Sequence, residues 1–388
     1  MKFPLLPRPF LPLELSNTDH NALVRLSSDF LDETLTHYEH FLHYDRGGVD
    51  PNQWKLLKTR ENVSVYQERR PRSASAATRK DDTLQVMLGC GAMPGHLNDI
   101  MYGVLNSTRE SMTLRSSYIE DNVVDCAVLA PVIHPTVKDP MRSLQVKWSV
   151  NASPPAVRHL VRPRDFVYLE STGMTTLPST GETVGYHILH SIEIPGVKEL
   201  HEHNIVRGNL SLFYIYRQRP GNQVGVYIRG FCDPKGDMRP SIAAFAVADG
   251  MIAVWKTMMC SHKKKLAWLY RHRQRPESEY SRLPRRYCAI CNRSVRGKLR
   301  SGKQCHICDA SVCASCRVSH KLCFMEPAAH RVLVKPVRFC KKCLGEGLHL
   351  SGWDLAADEL ARDSKQEYPD TLNSSIGSSR SVQELLAM

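Results

Sequence analysis

Along the first two thirds of the chain, apolar and polar positions alternate with the periods of helix and strand. Positions 21–44 carry Leu23, Leu26, Phe30, Leu31, Leu35, Tyr38 and Leu42 on or near one face of a predicted amphipathic helix. Strand-like runs rich in Val, Ile, Leu and Tyr, punctuated by Gly, Pro, Asn and Asp, follow at 62–68, 84–90, 123–132, 144–150, 166–173, 183–194, 205–217 and 225–231. A helix is predicted over 93–105, between the second and third runs. A long helix is predicted over 241–269, where Ile242, Phe245, Ile252, Trp255 and Met259 mark the stripe expected to be buried. This order predicts an α+β domain in which an antiparallel sheet curls round its last helix and can enclose an apolar cavity.

Composition supplies the borders. The chain has 388 residues, 42% of them hydrophobic, enough for two or three domains with a sizeable core in the larger one. A Lys/Arg/Pro-rich stretch at 261–286 includes Lys263-Lys264-Lys265 and Arg271-His272-Arg273, and after about Gly347 Ser, Asp and Glu dominate. The expected division is an N-terminal extension with a helix (1–49), a large domain (50–272), a basic linker (273–286), a small module (287–346) and a mostly disordered tail (347–388). A short helix from Ser381 is expected in the tail, because Ser381-x-x-Glu384 has the form of a capping box. The opening MKFPLLPRPFLPLEL is broken by four prolines and does not read as a signal peptide, and no later run reads as long and apolar enough to span a bilayer. A cytoplasmic setting, with reduced thiols, is expected.

The most specific chemistry lies in the small module. Cys288/Cys291, Cys305/Cys308, Cys313/Cys316 and Cys340/Cys343 are four Cys-x-x-Cys pairs. A two-residue gap lets both thiolates of a pair reach one tetrahedral ion, so the eight cysteines predict two structural zinc sites with no position left open for catalysis. Spacing alone allows either sequential or interleaved pairing. Cys90, Cys126, Cys232 and Cys260 sit in apolar stretches and read as packed thiols, and Cys323, His306, His320 and His330 as bystanders.

The pattern Cys-x2-Cys-x13-Cys-x2-Cys-x4-Cys-x2-Cys-x23-Cys-x2-Cys resembles the FYVE family, as do the words CHICDASVCASC and KPVRFCKKC. The resemblance implies interleaved ligands: Cys288, Cys291, Cys313 and Cys316 on one zinc, Cys305, Cys308, Cys340 and Cys343 on the other. Standard members bind phosphatidylinositol 3-phosphate through three motifs. Here the basic motif before the third cysteine is replaced by Ser301-Gly302-Lys303-Gln304-Cys305-His306, and the upstream tryptophan motif by Leu283-Pro284-Arg285-Arg286-Tyr287. Only Arg338 keeps its place. A basic hairpin with Arg293, Arg296, Lys298, Arg300 and Lys303 around Val295 and Leu299 is the candidate contact with an anionic membrane, each cation adding about 1 kcal/mol near the surface. Lys341 and Lys342 add to it, and the same segment can equally be a solvated loop.

In the large domain, Trp54-Lys55-Leu56-Leu57-Lys58 leading to Val65-Tyr66, then Arg162-Pro163-Arg164-Asp165-Phe166-Val167-Tyr168, then Phe231-Cys232-Asp233-Pro234-Lys235-Gly236-Asp237-Met238, resemble the START family of lipid-binding domains over residues 50–270. That resemblance implies a helix-grip fold holding an apolar ligand beneath the last helix, with Phe166, Tyr168, Leu212, Tyr214, Phe245, Ile252 and Trp255 as candidate wall residues. The pairing of the two modules resembles a START/FYVE family numerous in oomycetes.

No GxSxG turn, P-loop or HExxH appears, so no enzyme is expected. His201-Glu202-His203 reads as a solvated loop, and Arg164-Asp165 as a structural ion pair at a strand end. The excess of 52 Lys/Arg over 39 Asp/Glu gives +13, concentrated towards the linker and module. It fits an anionic membrane better than nucleic acid, because the pairs lack the spacing of a finger built from two cysteines and two histidines and no recognition helix stands out. The expected protein is a lipid binder, peripheral at endosomal or other anionic membranes. The competing expectation is an adaptor whose finger binds a protein such as a small GTPase.

Overall fold

Ten strands form one sheet in the computed structural model, which describes residues 3–69, 86–152, 161–236, 238–273, 286–295, 304–326 and 331–367. They are β1 (Trp54–Arg60), β2 (Val63–Glu68), β3 (Met87–Pro94), β4 (Val123–Ile133), β5 (Ser143–Asn151), β6 (Arg164–Thr176), β7 (Thr183–Ser191), β8 (Val206–Arg207), β9 (Asn209–Arg219) and β10 (Gln223–Asp233). The order is β1-β2-β3-β10-β9-β7-β6-β5-β4, antiparallel throughout, with β8 alone pairing parallel to β6.

Both faces of this sheet are covered. Helix α1 (Asn17–His43) opens on a capping box in which Ser16 Oγ accepts from Asp19 N at 3.1 Å and Asp19 Oδ2 accepts from Ser16 N at 3.3 Å. It lays Leu35, Tyr38 and Phe41 against Ile215 and Tyr227 on the outer face. Leu5, Phe10 and Leu13 cover Trp148 and its neighbours on the same face. The inner face is closed by α2 (Leu97–Val104), α3 (Arg109–Ile119), α4 (Pro240–Ile252) and α5 (Trp255–Arg271). The sheet therefore separates two interiors.

Several expectations change. Helix α2 starts at Leu97 because Met93 and Pro94 complete β3. Strand β1 has no clean alternation and exists by pairing with β2; α3 carries too few apolar positions to show a stripe. The closing helix breaks at Ala253–Val254, and its stripe is rotated from the predicted one: Ile252 is buried, but Ile242, Phe245 and Met259 are exposed. The run Ile242 to Ala248 is apolar all round, so its periodicity cannot select a face, and the small Ala244 and Ala248 let the backbone approach the sheet. Contrary to expectation, the stretch Ser241–Arg271 is long and apolar enough to cross a membrane, yet it lies against the sheet.

The basic stretch is not all linker. Lys265 is buried, paired with Asp99 at 2.6 Å and donating to Leu348 O, while Lys264 donates to Tyr102 O at 2.7 Å and lies over its ring. The start of the expected tail is also ordered: α6 (Lys341–His349) is followed by α7 (Gly352–Glu367). Helix α7 buries Leu355 and Ala356, and its Asp358 and Glu359 accept from Trp268 Nε1 and the Tyr102 hydroxyl, both at 3.0 Å. Gly352 is required there, because a Cβ would run into Asn98 O and Tyr102 Cβ. The polar composition hid an amphipathic helix. The helix expected from Ser381 lies outside the described residues.

In the module, β11 (Arg317–Glu326) and β12 (Arg331–Cys340) form a hairpin that packs Leu322, Val337 and Phe339 on Leu266 and Ala267 of α5. If α7 is integral, truncating the chain after Leu350 lowers unfolding stability by about 2–4 kcal/mol in urea titration, from exposing Leu355 and its surroundings; a true tail would leave the midpoint unchanged.

Candidate functional site

A cavity of about 470 Å³ lies between the inner sheet face and helices α3, α4 and α5. Its polarity follows from strand alternation. In β5, Leu144, Val146, Trp148 and Val150 point to the outer cluster, so Ser143, Gln145, Lys147 and Ser149 point inward, and all eight are buried. By the same alternation β6 turns Arg164, Phe166, Tyr168 and Glu170 to the cavity, β7 His187 and Leu189, and β9 Leu212, Tyr214 and Tyr216.

The floor of this cavity is ionic. Glu170 Oε2 takes the Lys147 ammonium, and its Oε1 lies 2.7 Å from His187 Nε2. Lys147 also donates to Asn106 O at 2.8 Å and Asn106 Oδ1 at 2.6 Å, and His187 stacks on Tyr214 at 5.3 Å. Burial alone would raise the Glu170 carboxyl, but Lys147 and His187 overcome it and hold the group well below the usual carboxylate range. Burial lowers the His187 imidazole against the pull of Glu170. It also pushes the Tyr214 hydroxyl up to about 12. Beside this group stands Arg115 of α3. Its guanidinium lies 3.8 Å from Asp121, and its Nε is buried with no hydrogen-bond partner.

A buried Lys–Glu pair is a poor source of net stability compared with an apolar pair of the same shape. Glu170 and His187 lie in the wall of a chamber that also carries Arg115, Asp121 and Arg164 among mostly apolar residues, which suits a ligand with a polar group and an apolar body. The sequence offered no warning. Polar residues alternating with apolar ones read as a solvent-facing strand, and only the covering helices turn that face inward.

The predicted wall residues separate into two sets. Phe166, Tyr168, Leu212 and Tyr214 line the cavity. Phe245 is instead 54% exposed, and Ile252 and Trp255 pack into the core, where Arg60 sits 4.4 Å over the Trp255 ring. The rotated stripe is the cause: the helices present Val247, Met251, Val254 and Thr257 to the chamber. His201–His203 form an exposed turn. Asp165 pairs with Arg207 at 2.9 Å and accepts from Trp148 Nε1, not with adjacent Arg164, whose guanidinium donates to Arg162 O, Pro234 O and Lys235 O. Neighbours on a strand face opposite ways.

The eight paired cysteines converge in two groups, Cys288/Cys291/Cys313/Cys316 and Cys305/Cys308/Cys340/Cys343, each with its sulfurs within 4.8 Å of one another. The pairing is interleaved. Backbone amides point at the sulfurs, with Ile307 N and Cys340 N donating to Cys305 Sγ at 3.4 and 3.3 Å, and Cys343 N to Cys340 Sγ at 3.3 Å. Such support suits deprotonated sulfur, and four thiolates fit a closed tetrahedral metal site. Val295 packs against the cluster of cysteines and Val312 rather than standing free, and its N–H is tied to Arg286 O. Arg338 lies in β12 with its carbonyl accepting from His306 N at 2.8 Å. Arg296, Lys298, Leu299, Arg300 and Lys303 lie outside the described residues.

No family model and no curated protein matches the chain. Among solved structures it is similar to three human proteins. StAR-related lipid transfer protein 5 is 16% identical, covering 61% of this chain and 98% of that one, with a TM-score of 0.40. STARD10 is 17% identical over 60% and 82% of the two chains, at 0.39. The lipid transfer and protein localization domain of StarD13 is 13% identical over 54% and 88%, at 0.37.

Breaking the buried pair tests the floor. Lys147→Met leaves the buried Glu170 carboxylate without its lysine partner and lowers stability by about 3–5 kcal/mol. Adding Glu170→Leu removes the stranded charge and recovers most of that loss in the same urea titration.

Proposed function

We propose that this chain is a non-enzymatic lipid-binding protein: the large domain takes up an amphiphile, and a zinc-dependent, FYVE-type module helps to address it to membranes. One observation carries the reading, a largely apolar chamber that holds a buried ionic group in its wall. Phe166, Leu212, Tyr214, Met251 and Val254 offer the ligand's body an apolar surround. The unpartnered Arg115 Nε and the Glu170–His187 pair offer hydrogen bonds to its polar group. The START-like resemblance points the same way. Two four-cysteine groups with FYVE spacing support zinc as the metal in both.

Membrane contact has support from the large domain as well. Helix α4 is half-exposed yet bears no polar side chain from Ile242 to Ala248, and Ile242 and Phe245 are 52% and 54% exposed. A solvent-facing helix face is normally polar. Arg239 lies at the helix's start and Lys55 on neighbouring β1, while Lys58 of β1 is paired with Asp249 of the same helix; apolar residues bordered by cations suit the boundary of an anionic bilayer. We place the protein at the cytoplasmic side of such membranes.

Native mass spectrometry of the purified full chain, with extraction of bound lipid, tests the cavity. The wild type carries an amphiphilic lipid, and Leu212→Trp, which fills part of the chamber, lowers occupancy at least about ten-fold; an empty wild type after incubation with total lipid extract overturns the reading. Sedimentation with phosphatidylserine vesicles tests the membrane face: Ile242→Glu with Phe245→Glu abolishes binding and leaves occupancy unchanged, whereas undiminished binding returns the contact to the module.

A further inference from the structure

Helix α3 has two working faces. Met112, Arg115, Ser116 and Ile119, at helical spacing, line the cavity. Tyr118 faces the other way and is 4% exposed. Its hydroxyl accepts from Cys323 N at 2.8 Å and donates to Cys323 O at 3.1 Å. Cys323 lies in β11, opposite Val334 of β12. The Tyr118 hydroxyl thus takes the place of a strand neighbour at the open edge of a two-stranded hairpin. Around it, Tyr118, Ile119, Cys260 and Cys323 pack as one apolar cluster with Leu114 and Val332.

The hairpin is in turn held by the cysteine groups. Arg317, the first residue of β11, follows Cys316 of one group, and it pairs with Cys340 of the other, the last residue of β12. A lone two-stranded hairpin is marginal in water, and a module of this size with so few apolar residues folds with its metal. A continuous line of contacts runs from both metal groups through β11 and Tyr118 to the cavity wall.

We propose that metal occupancy of the two four-cysteine groups controls the cavity: the metal-held hairpin clamps α3 through Tyr118, so metal release frees that wall and lets the bound amphiphile go. Linkage makes the effect reciprocal, so a filled cavity slows metal loss. The second half rests on the proposed ligand role of the cavity; the clamp itself does not.

The test is hydrogen exchange on the full zinc-loaded chain before and after chelation. Amides of 112–119 exchange at least about ten-fold faster once metal is removed, while β5, buried on both sides, stays protected. Tyr118→Phe, with metal still bound, reproduces the effect on 112–119, and Cys288→Ser with Cys313→Ser gives a route independent of the chelator. Exposure of 317–326 with unchanged protection of 112–119 overturns the proposal. A parallel arm follows a fluorescent nitrobenzoxadiazole-labelled fatty acid: several-fold faster release on chelation is expected, and unchanged release from a loosened helix overturns the control of the cavity. Failure of the loaded protein to take up the probe counts against the ligand reading, while the exchange result still decides the clamp.

Discussion

Strand β5 is buried on both sides from Ser143 to Val150, and this constraint shapes the rest of the molecule. With no face left for water, its polar residues must find partners inside. Lys147 reaches Glu170 and Asn106, and Glu170 reaches His187, so three strands and the loop before α3 are tied by charge at one point. Helices α4 and α5 then close a chamber rather than complete a solid core. Arg115 extends the same polar region from the helical side.

The module is part of this construction. Leu322, Val337 and Phe339 are fully buried against α5, Lys265 reaches from α5 to Leu348 O, and α7 returns to cover Trp268 and Tyr102. The lysines that look in sequence like a solvated run at a domain border are partly the fasteners of that border. Their long apolar stems pack while the ammonium groups reach carbonyls and Asp99.

What could be read from the sequence was what local pattern determines. Most of the strands and the body of α1 follow from apolar periodicity, although the Ser16 cap starts α1 at Asn17, ahead of the apolar stripe, and the four cysteine knuckles announce themselves by a two-residue gap whose geometry is local. What could not be read depended on distant covering elements. Lys147 and Gln145 look solvent-facing until Asn106 and Ser107, in the loop before α3, are seen to receive them. Phe245 looks buried until the small faces of Ala244 and Ala248 are seen to win the contact with the sheet. The choice between sequential and interleaved cysteine pairing is decided in three dimensions, where Cys313 and Cys316 come back to Cys288 and Cys291.

The contact between Tyr118 and Cys323 spans 205 positions of the chain. During synthesis the sheet and the chamber's inner surface are made well before the hairpin that steadies α3, and the second cysteine group waits for Cys343. The apolar interior is therefore assembled first and sealed last. Until the module has emerged, Tyr118 lacks its partner and the nascent domain carries an unfastened wall over its cavity, and such transiently exposed apolar surface is what makes folding intermediates prone to aggregate.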